Sequence, residues 1–168
     1  MISLEVIGVS QPDKEGYPVV LLRNENRILP ILVGLPEANA IQIVLLGGTP
    51  PRPLTHDLIC NLLAGLRAEL RSVSIYKLEN DIFFAHLNIE QKSPSGQVEQ
   101  VLRVDSRPSD GIAIAVRMKC PIFAAEEVMD AAAQDASILD GSDEEESSEA
   151  IEGGEDEGEE PDENEFEA

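Results

Sequence analysis

The acidic residues of this 168-residue chain are unevenly distributed, and their distribution limits where a fold can form. Residues 137–168 contain 16 of the 33 Asp and Glu residues and none of the 12 Lys and Arg residues. Apolar residues are isolated in this stretch, so it cannot bury enough surface to offset the entropy lost on ordering. We therefore expect a single compact domain over 1–136 followed by a disordered acidic tail over 137–168.

The composition and the N-terminus exclude several classes of protein. A formal net charge of -21 excludes a basic protein that coats nucleic acid. Cys60 and Cys120 are the only cysteines, which excludes a disulfide-stapled scaffold and a cysteine-based zinc finger. No apolar run approaches the roughly 18–20 residues of a membrane helix, and no signal-peptide pattern is present. We expect a cytoplasmic protein without a membrane partner.

The region 1–136 changes repeatedly between strand-like and helix-like patterns. Alternating and β-branched apolar residues predict strands near 2–9, 19–22, 28–33, 73–78, 82–89 and 121–124, and another strand that follows a turn at 93–96 and ends near 104. Helix-start signals occur near residues 36, 55, 108 and 126. The first helix is apolar nearly all round and should be buried. On the second helix, Leu58, Leu62 and Leu66 should form an apolar stripe that Ile59 and Leu63 widen. Strand groups interleaved with three to four helices predict an α+β fold with antiparallel or mixed strands.

Two aspartates and an arginine surround the third predicted helix start. Asp105 ends a strand and Asp110 lies in the first helical turn, so both could hold Mg²⁺ or Mn²⁺ together with phosphate oxygens. Alternatively, Asp110 only stabilises the positive end of the helix dipole. Arg107 could form a forked contact with a phosphate, or an internal ion pair with an aspartate.

Similar alternatives apply to the first two predicted helix starts. His56 follows a predicted N-cap at Thr55 and should be partly exposed, which suits either a general base acting on water or an inert surface histidine. Asp57 and Glu37 lie in first helical turns, where a carboxylate stabilises the helix with or without a bound cation. No phosphate-loop, dinucleotide or serine-hydrolase motif competes with these candidates.

Three segments, in this order, resemble the bifunctional nuclease domain family of bacteria and plants. The segments are Arg27–Gly34 with Glu37-Ala38, Arg52–Asp57, and Asp105–Asp110 with the apolar helix that ends at Arg117. The resemblance covers about residues 2–133, and its most specific part is Arg-Pro-Ser-Asp at 107–110. It implies an α+β domain that forms a homodimer and acts on DNA and RNA. Gly111 departs from the family pattern, in which alanine is usual at this position.

Two functional hypotheses follow. In the first, the protein is a nuclease in which His56 or a divalent metal activates water. Its catalytic residues are His56, Asp57, Asp105 and Asp110, its metal ligands are Asp57, Asp105, Asp110 and Glu37, and its phosphate-binding residues are Arg52, Arg107 and Arg117. In the second, the same arginines and aspartates form a structural ion network in a non-enzymatic dimeric binding or regulatory module. The tail either only keeps the protein soluble or contacts a basic partner.

Overall fold

The computed structural model describes residues 1–10 and 16–139 of the chain. The strands are β1 (Ile2–Val9), β2 (Val19–Asn24), β3 (Arg27–Leu32), β4 (Ala68–Glu79), β5 (Ile82–Lys92), β6 (Val98–Ser106), β7 (Ile122–Ala124) and β8 (Gln134–Asp135). The helices are α1 (Leu35–Leu45), α2 (Thr55–Gly65), α3 (Pro108–Met118) and α4 (Glu126–Ala132). A short 3-10 helix occupies Ala136–Leu139, and the rest of the predicted tail lies outside the described residues.

All of these strands belong to one mixed sheet in the order β6-β5-β4-β7-β1-β2-β3-β8. The β4–β7 pair is parallel, and the other neighbouring pairs are antiparallel. Four helices and a mixed sheet confirm the predicted α+β fold. None of the helices in the described part of the chain has the length and hydropathy that a bilayer-spanning segment requires.

Helix α3 lies at the centre of the structure, where it packs against β4, β5, α1 and α2. Its first residue is Pro108, as predicted from the sequence. Gly111 allows close packing, because a Cβ atom there would lie 2.9 Å from Cγ1 of Val73 on β4. The apolar side chains of Ile112 and Ile114 are fully or almost fully buried. This packing fixes the start of α3, with Arg107 and Asp110, beside the end of β6.

The predicted apolar stripe of α2 is buried only in part. Ile59 and Leu63, which were predicted to widen it, pack against the core, whereas Leu58, Leu62 and Leu66 are 53%, 55% and 59% exposed. Because the stripe is wide, periodicity alone could not choose which part of it faces inward. In the folded protein, His56 and Asp57 in the first turn of α2 contact Asp110 and Arg117 of α3.

Helix α1 is buried on only one side, so the prediction that it is buried all round is also wrong. Ala38, Ala40 and Ile41 are buried, whereas Leu35 and Leu45 are 56% and 40% exposed. Helix α2 also begins slightly differently from the prediction, because Thr55 is its first residue and Leu54 precedes it as the N-cap. Neither difference moves the helix starts away from the predicted segments.

The two cysteines take part in packing. Cys60 and Cys120 are free thiols that are partly buried against the core. Burial raises the pKa of Cys120 to about 11, so its thiol stays protonated at neutral pH. These residues therefore contribute to packing rather than to nucleophilic chemistry.

Candidate active-site groove

A groove of about 1200 Å³ lies where α1, α2 and α3 begin and β6 ends. Five of the residues predicted to form a site line it, namely Glu37, His56, Asp105, Arg107 and Asp110. Each helix start contributes backbone N–H groups that have no partner within the helix, together with the positive end of a helix dipole. The groove therefore combines a locally positive backbone with titratable side chains.

Arg107 and Asp110 form a forked ion pair at the start of α3. Nε of Arg107 donates to Oδ2 of Asp110 at 2.8 Å, and Nη2 donates to Oδ1 at 3.2 Å. Nη2 also lies 2.9 Å from Oε1 of Glu37 on α1. The bond to Asp110 is the main reason that the pKa of Arg107 is raised, so the guanidinium stays charged.

The same guanidinium keeps part of its donor capacity. A guanidinium has five N–H donors, of which two belong to Nη1. Nη1 of Arg107 bonds to none of the described residues, and the side chain is 66% exposed. Arg107 can therefore hold Glu37 and Asp110 while it donates to an incoming anion.

His56 joins this cluster from α2, where its Nε2 lies 3.1 Å from Oδ1 of Asp110. The residue is only 9% exposed, so the prediction of a partly exposed histidine is wrong. The hydrogen bond that Nε2 donates to the Asp110 carboxylate fixes the orientation of the ring. Nδ1 makes no hydrogen bond to the described residues, and no buried side-chain nitrogen or oxygen among those residues lacks a partner. Nδ1 is thus accessible to water.

Asp110 experiences opposing effects on its charge. Burial, the largest single effect, raises its pKa. The hydrogen bonds from Arg107 and His56 and the charges of these two residues together outweigh burial, and the net pKa lies below the usual value. Asp110 is therefore ionised at neutral pH, as a group that orients a histidine must be.

Asp57 and Arg117 form a separate pair behind the groove. Nε of Arg117 donates to Oδ1 of Asp57 at 2.6 Å, and Nη1 donates at 2.8 Å to the backbone carbonyls of Ala40 and Ala113. Oδ2 of Asp57 accepts the backbone N–H of Leu54 at 2.8 Å. The Arg117 side chain is only 7% exposed, so this pair joins α1, α2 and α3.

The two remaining candidates, Asp105 and Arg52, lie apart from the cluster. Asp105 borders the groove on edge strand β6, but its register partner is His86, whereas Val104 pairs with Leu87 of the core. Side chains alternate along a strand, so the Asp105 carboxylate lies on the face with His86, away from α3. Arg52 is exposed, does not line the groove and makes no ion pair with the described residues.

The predicted carboxylate ligands do not form a ready metal site in this arrangement. No group of three or more His, Cys, Asp and Glu side chains within residues 1–10 and 16–139 is placed to hold a metal ion. Glu37 and Asp110 bind Arg107, and Asp57 binds Arg117. At Asp57 and Asp110, a cation would have to compete with a bound guanidinium.

Comparisons with known proteins agree with the sequence motifs. The model of the bifunctional nuclease domain matches residues 19–137, which is most of the chain. The chain belongs to the bifunctional nuclease domain family. The uncharacterized proteins Rv1829 and MT1877 from two strains of Mycobacterium tuberculosis are 40% identical to it over 131 residues, which are 77% of this chain and 74% of each relative.

Plant members of the bifunctional nuclease domain family are more distant. Bifunctional nuclease 1 of Arabidopsis thaliana is 29% identical over 118 residues, which are 68% of this chain and 35% of the plant protein. Bifunctional nuclease 1 of Oryza sativa subsp. indica is 26% identical over 113 residues. All three groove-forming segments of this chain lie inside the region that matches the domain model.

Sequence reasoning found His56 and the charged residues of the groove but missed Asn39, Ser106 and its apolar walls. Ile43, Ile59, Leu87, Val104 and Ile114 also line it. Their residue types are ordinary for a core, so nothing in the sequence sets them apart. The pairing of His56 with Asp110 was also missed, because the two residues are 54 positions apart in the chain.

Proposed function

We propose that this domain hydrolyses phosphodiester bonds of DNA or RNA in the groove at the helix starts. The observation that supports this most strongly is the arrangement of His56, Asp110 and Arg107. A histidine is oriented by an ionised carboxylate, and the same carboxylate holds a guanidinium with unused donors. This arrangement places a candidate base beside a candidate phosphate-binding group.

Each residue has a defined role in this proposal. Nδ1 of His56 removes a proton from water as the water oxygen attacks phosphorus. Asp110 stabilises the imidazolium that forms, because its carboxylate is already bonded to the ring at Nε2. Nη1 of Arg107 donates to a non-bridging phosphate oxygen, whose negative charge grows in the transition state. The departing oxygen takes a proton from solvent.

The local field of the groove helps to offset the repulsion between an acidic protein and a polyanion. The net charge is -21, so long-range electrostatics oppose association with nucleic acid. At short range, Arg107 and the three helix N-termini attract a phosphate, whereas the carboxylates of Glu37, Asp105 and Asp110 in the same groove oppose it. Such a groove favours one or two phosphates rather than a long duplex tract.

A requirement for Mg²⁺ or Mn²⁺ stays a prediction. The carboxylates nearest the groove are paired with Arg107, so a metal would have to enter with the substrate phosphate or rearrange the cluster. Metal ions in phosphoryl-transfer sites often bind through one or two carboxylates plus phosphate oxygens, which makes entry with substrate a realistic route. Assays with each metal and with EDTA test this point directly.

The test is cleavage of labelled single-stranded RNA and double-stranded DNA by the full chain, with Mg²⁺, Mn²⁺ or EDTA. Asp110→Asn should lower the cleavage rate at least about 100-fold, because the histidine loses an ionised partner. Asp130→Asn is the matched control, since Asp130 pairs with Arg27 at 3.1 Å away from the groove. Cleavage that persists in Asp110→Asn would show that the activity belongs to another site or to a contaminant.

A non-enzymatic dimeric module is the second candidate, and the exposed side of α2 favours it. Leu58, Leu62 and Leu66 present a continuous apolar stripe that a second copy of the chain could cover. In that case the ion pairs around Arg107 and Arg117 are purely structural. Under this hypothesis no cleavage occurs in any condition, and Leu62→Glu converts a dimer to a monomer in sedimentation experiments.

A further inference from the structure

A second groove, of about 610 Å³, lies on the other side of Arg107 from Glu37, His56 and Asp110. Its walls are mostly apolar and include Tyr17, Pro30, Leu32, Ile82 and Phe83. Three of these side chains are highly exposed for their type, with Tyr17 at 54%, Leu32 at 62% and Ile82 at 60%. Large apolar side chains that surround a concave surface are typical of a ligand site.

The two grooves share one wall, and that wall contains a charged group. Arg107 lines both grooves, and the starts of α1 and α3 separate them. Glu37 and Asp110 face the first groove. Gly34, Pro108 and Ser109 face the second groove. The unused Nη1 donors of Arg107 belong to this wall. An anion bound there would have an acid–base cluster on one side and an apolar cavity on the other.

We propose that the second groove is a nucleobase subsite. The choice of nucleic acid as the ligand rests on the proposed function. A phosphate on Arg107 places the attached nucleoside next to the second groove, where the flat apolar face of a base can pack against Phe83 and Tyr17. An apolar peptide would leave the Nη1 donors of Arg107 in the shared wall unused, whereas a nucleotide matches both the donors and the apolar walls.

This assignment favours single-stranded over double-stranded substrates. A base can enter a side pocket only when it is unstacked and unpaired, and this costs least in a single strand. Stacking is tolerant of sequence, because every base has a flat face. The protein is therefore expected to bind single-stranded DNA and RNA with little base preference, and duplex DNA more weakly.

The chain provides a matched pair of variants for the test. Phe83 lines the second groove, whereas the adjacent Phe84 lies on the opposite face of β5, where it contacts the ring of Tyr76. Phe83→Leu and Phe84→Leu thus make the same chemical change on the two faces of one strand. Ile82→Ser is a third variant that tests the groove without disturbing the core, because Ile82 is 60% exposed.

The experiment is calorimetric titration of the full chain with adenosine 5′-monophosphate, ribose 5-phosphate and inorganic phosphate. For the unmodified chain, the nucleotide should bind about tenfold more tightly than ribose 5-phosphate, a typical gain from stacking one base. Phe83→Leu should remove most of this difference, Ile82→Ser should reduce it, and Phe84→Leu should leave it unchanged.

Other outcomes overturn the subsite, and each is distinguishable from failure of the proposed function. Equal binding of nucleotide and ribose 5-phosphate, or equal effects of Phe83→Leu and Phe84→Leu, would overturn it even if Asp110-dependent cleavage is observed. Base-dependent binding that Phe83→Leu removes would support the subsite even if no cleavage occurs. Loss of nucleotide binding as the chain self-associates would show that a second copy fills the groove, and would also overturn the proposal.

Discussion

Two ion pairs at neighbouring helix starts look alike in sequence but differ in the folded protein. Asp57 and Asp110 are each the third residue of a helix, and each binds an arginine. Arg117 is 7% exposed and bonds to two backbone carbonyls as well, whereas Arg107 is 66% exposed and keeps Nη1 available. The exposure of the arginine, not the position of the aspartate, separates a structural pair from a candidate functional one.

The carboxylates of the two ion pairs also differ in whether their partners lie in the groove or only hold the fold together. Asp57 uses one oxygen for Arg117 and the other for the backbone N–H of Leu54, so both oxygens hold the fold together. Asp110 bonds to Arg107 and His56, both of which line the groove. Disrupting the first pair should therefore affect mainly stability, and disrupting the second should affect mainly activity.

The largest expected effect is on activity, from a change in His56. His56→Gln removes the proposed base while it keeps a side chain able to bond to Asp110, so kcat/KM should fall by roughly 10²–10⁴-fold. The chain has two histidines, and His86→Gln is the matched control, because His86 stacks on Tyr76 away from the cluster. Equal losses in the two variants would contradict the role assigned to His56.

The next largest effect is on stability, from changes in the two arginines. Arg117→Met leaves Asp57 without its buried partner and removes the hydrogen bonds to the carbonyls of Ala40 and Ala113, so the free energy of unfolding should fall by about 3 kcal/mol. Arg107→Met should lower it by less than about 1 kcal/mol, because exposed ion pairs are weak. Urea unfolding at pH 7 measures both, and equal losses would remove the distinction between the two pairs.

Acid should weaken both pairs, and the pH dependence has a definite sign. The pKa of Asp57 is lowered mainly by the hydrogen bond from Arg117, and the net pKa of Asp110 is also lowered. A lowered native pKa gives stability that is complete above the unfolded value of about 3.9 and is lost as pH falls through the native value. Stability should therefore be level near neutral pH and should fall below about pH 4.

Variants of the two aspartates show which carboxylate contributes more to the pH dependence of the free energy of unfolding. Asp57→Asn should be less stable than the unmodified chain at pH 7, and the difference should shrink as the pH approaches 3. Asp110→Asn should show a smaller effect, because burial opposes the hydrogen bonds at that carboxylate. Urea unfolding at several pH values checks this. If the free energy of unfolding fell more steeply with acid in Asp57→Asn than in the unmodified chain, the predicted direction of the pH effect would be contradicted.

The sequence predicted the helix starts well because their signals are local. Pro36 and Pro108 lie in the first turns of α1 and α3, and the carboxylates that follow them are where the dipole favours them. The partners of those carboxylates were not predictable, because Asp57 and Arg117 are 60 positions apart and meet only when α2 and α3 pack. The same packing buries His56 and leaves Leu58, Leu62 and Leu66 exposed, so only Ile59 and Leu63 of the predicted apolar stripe face the core.

The smallest expected effect comes from the acidic C-terminal segment. It tests whether this segment affects cleavage only through long-range electrostatic repulsion of the nucleic acid. Residues 140–168 contain 16 acidic and no basic residues, so removing them lowers the long-range repulsion of a nucleic acid. Cleavage at low salt should rise a few-fold and depend less on ionic strength, because repulsion beyond about 10 Å is already screened at 0.1 M salt. Rates measured from 20 to about 300 mM salt should converge for the two chains. A change that persists at high salt would show that the segment contacts the domain directly, rather than acting through its field.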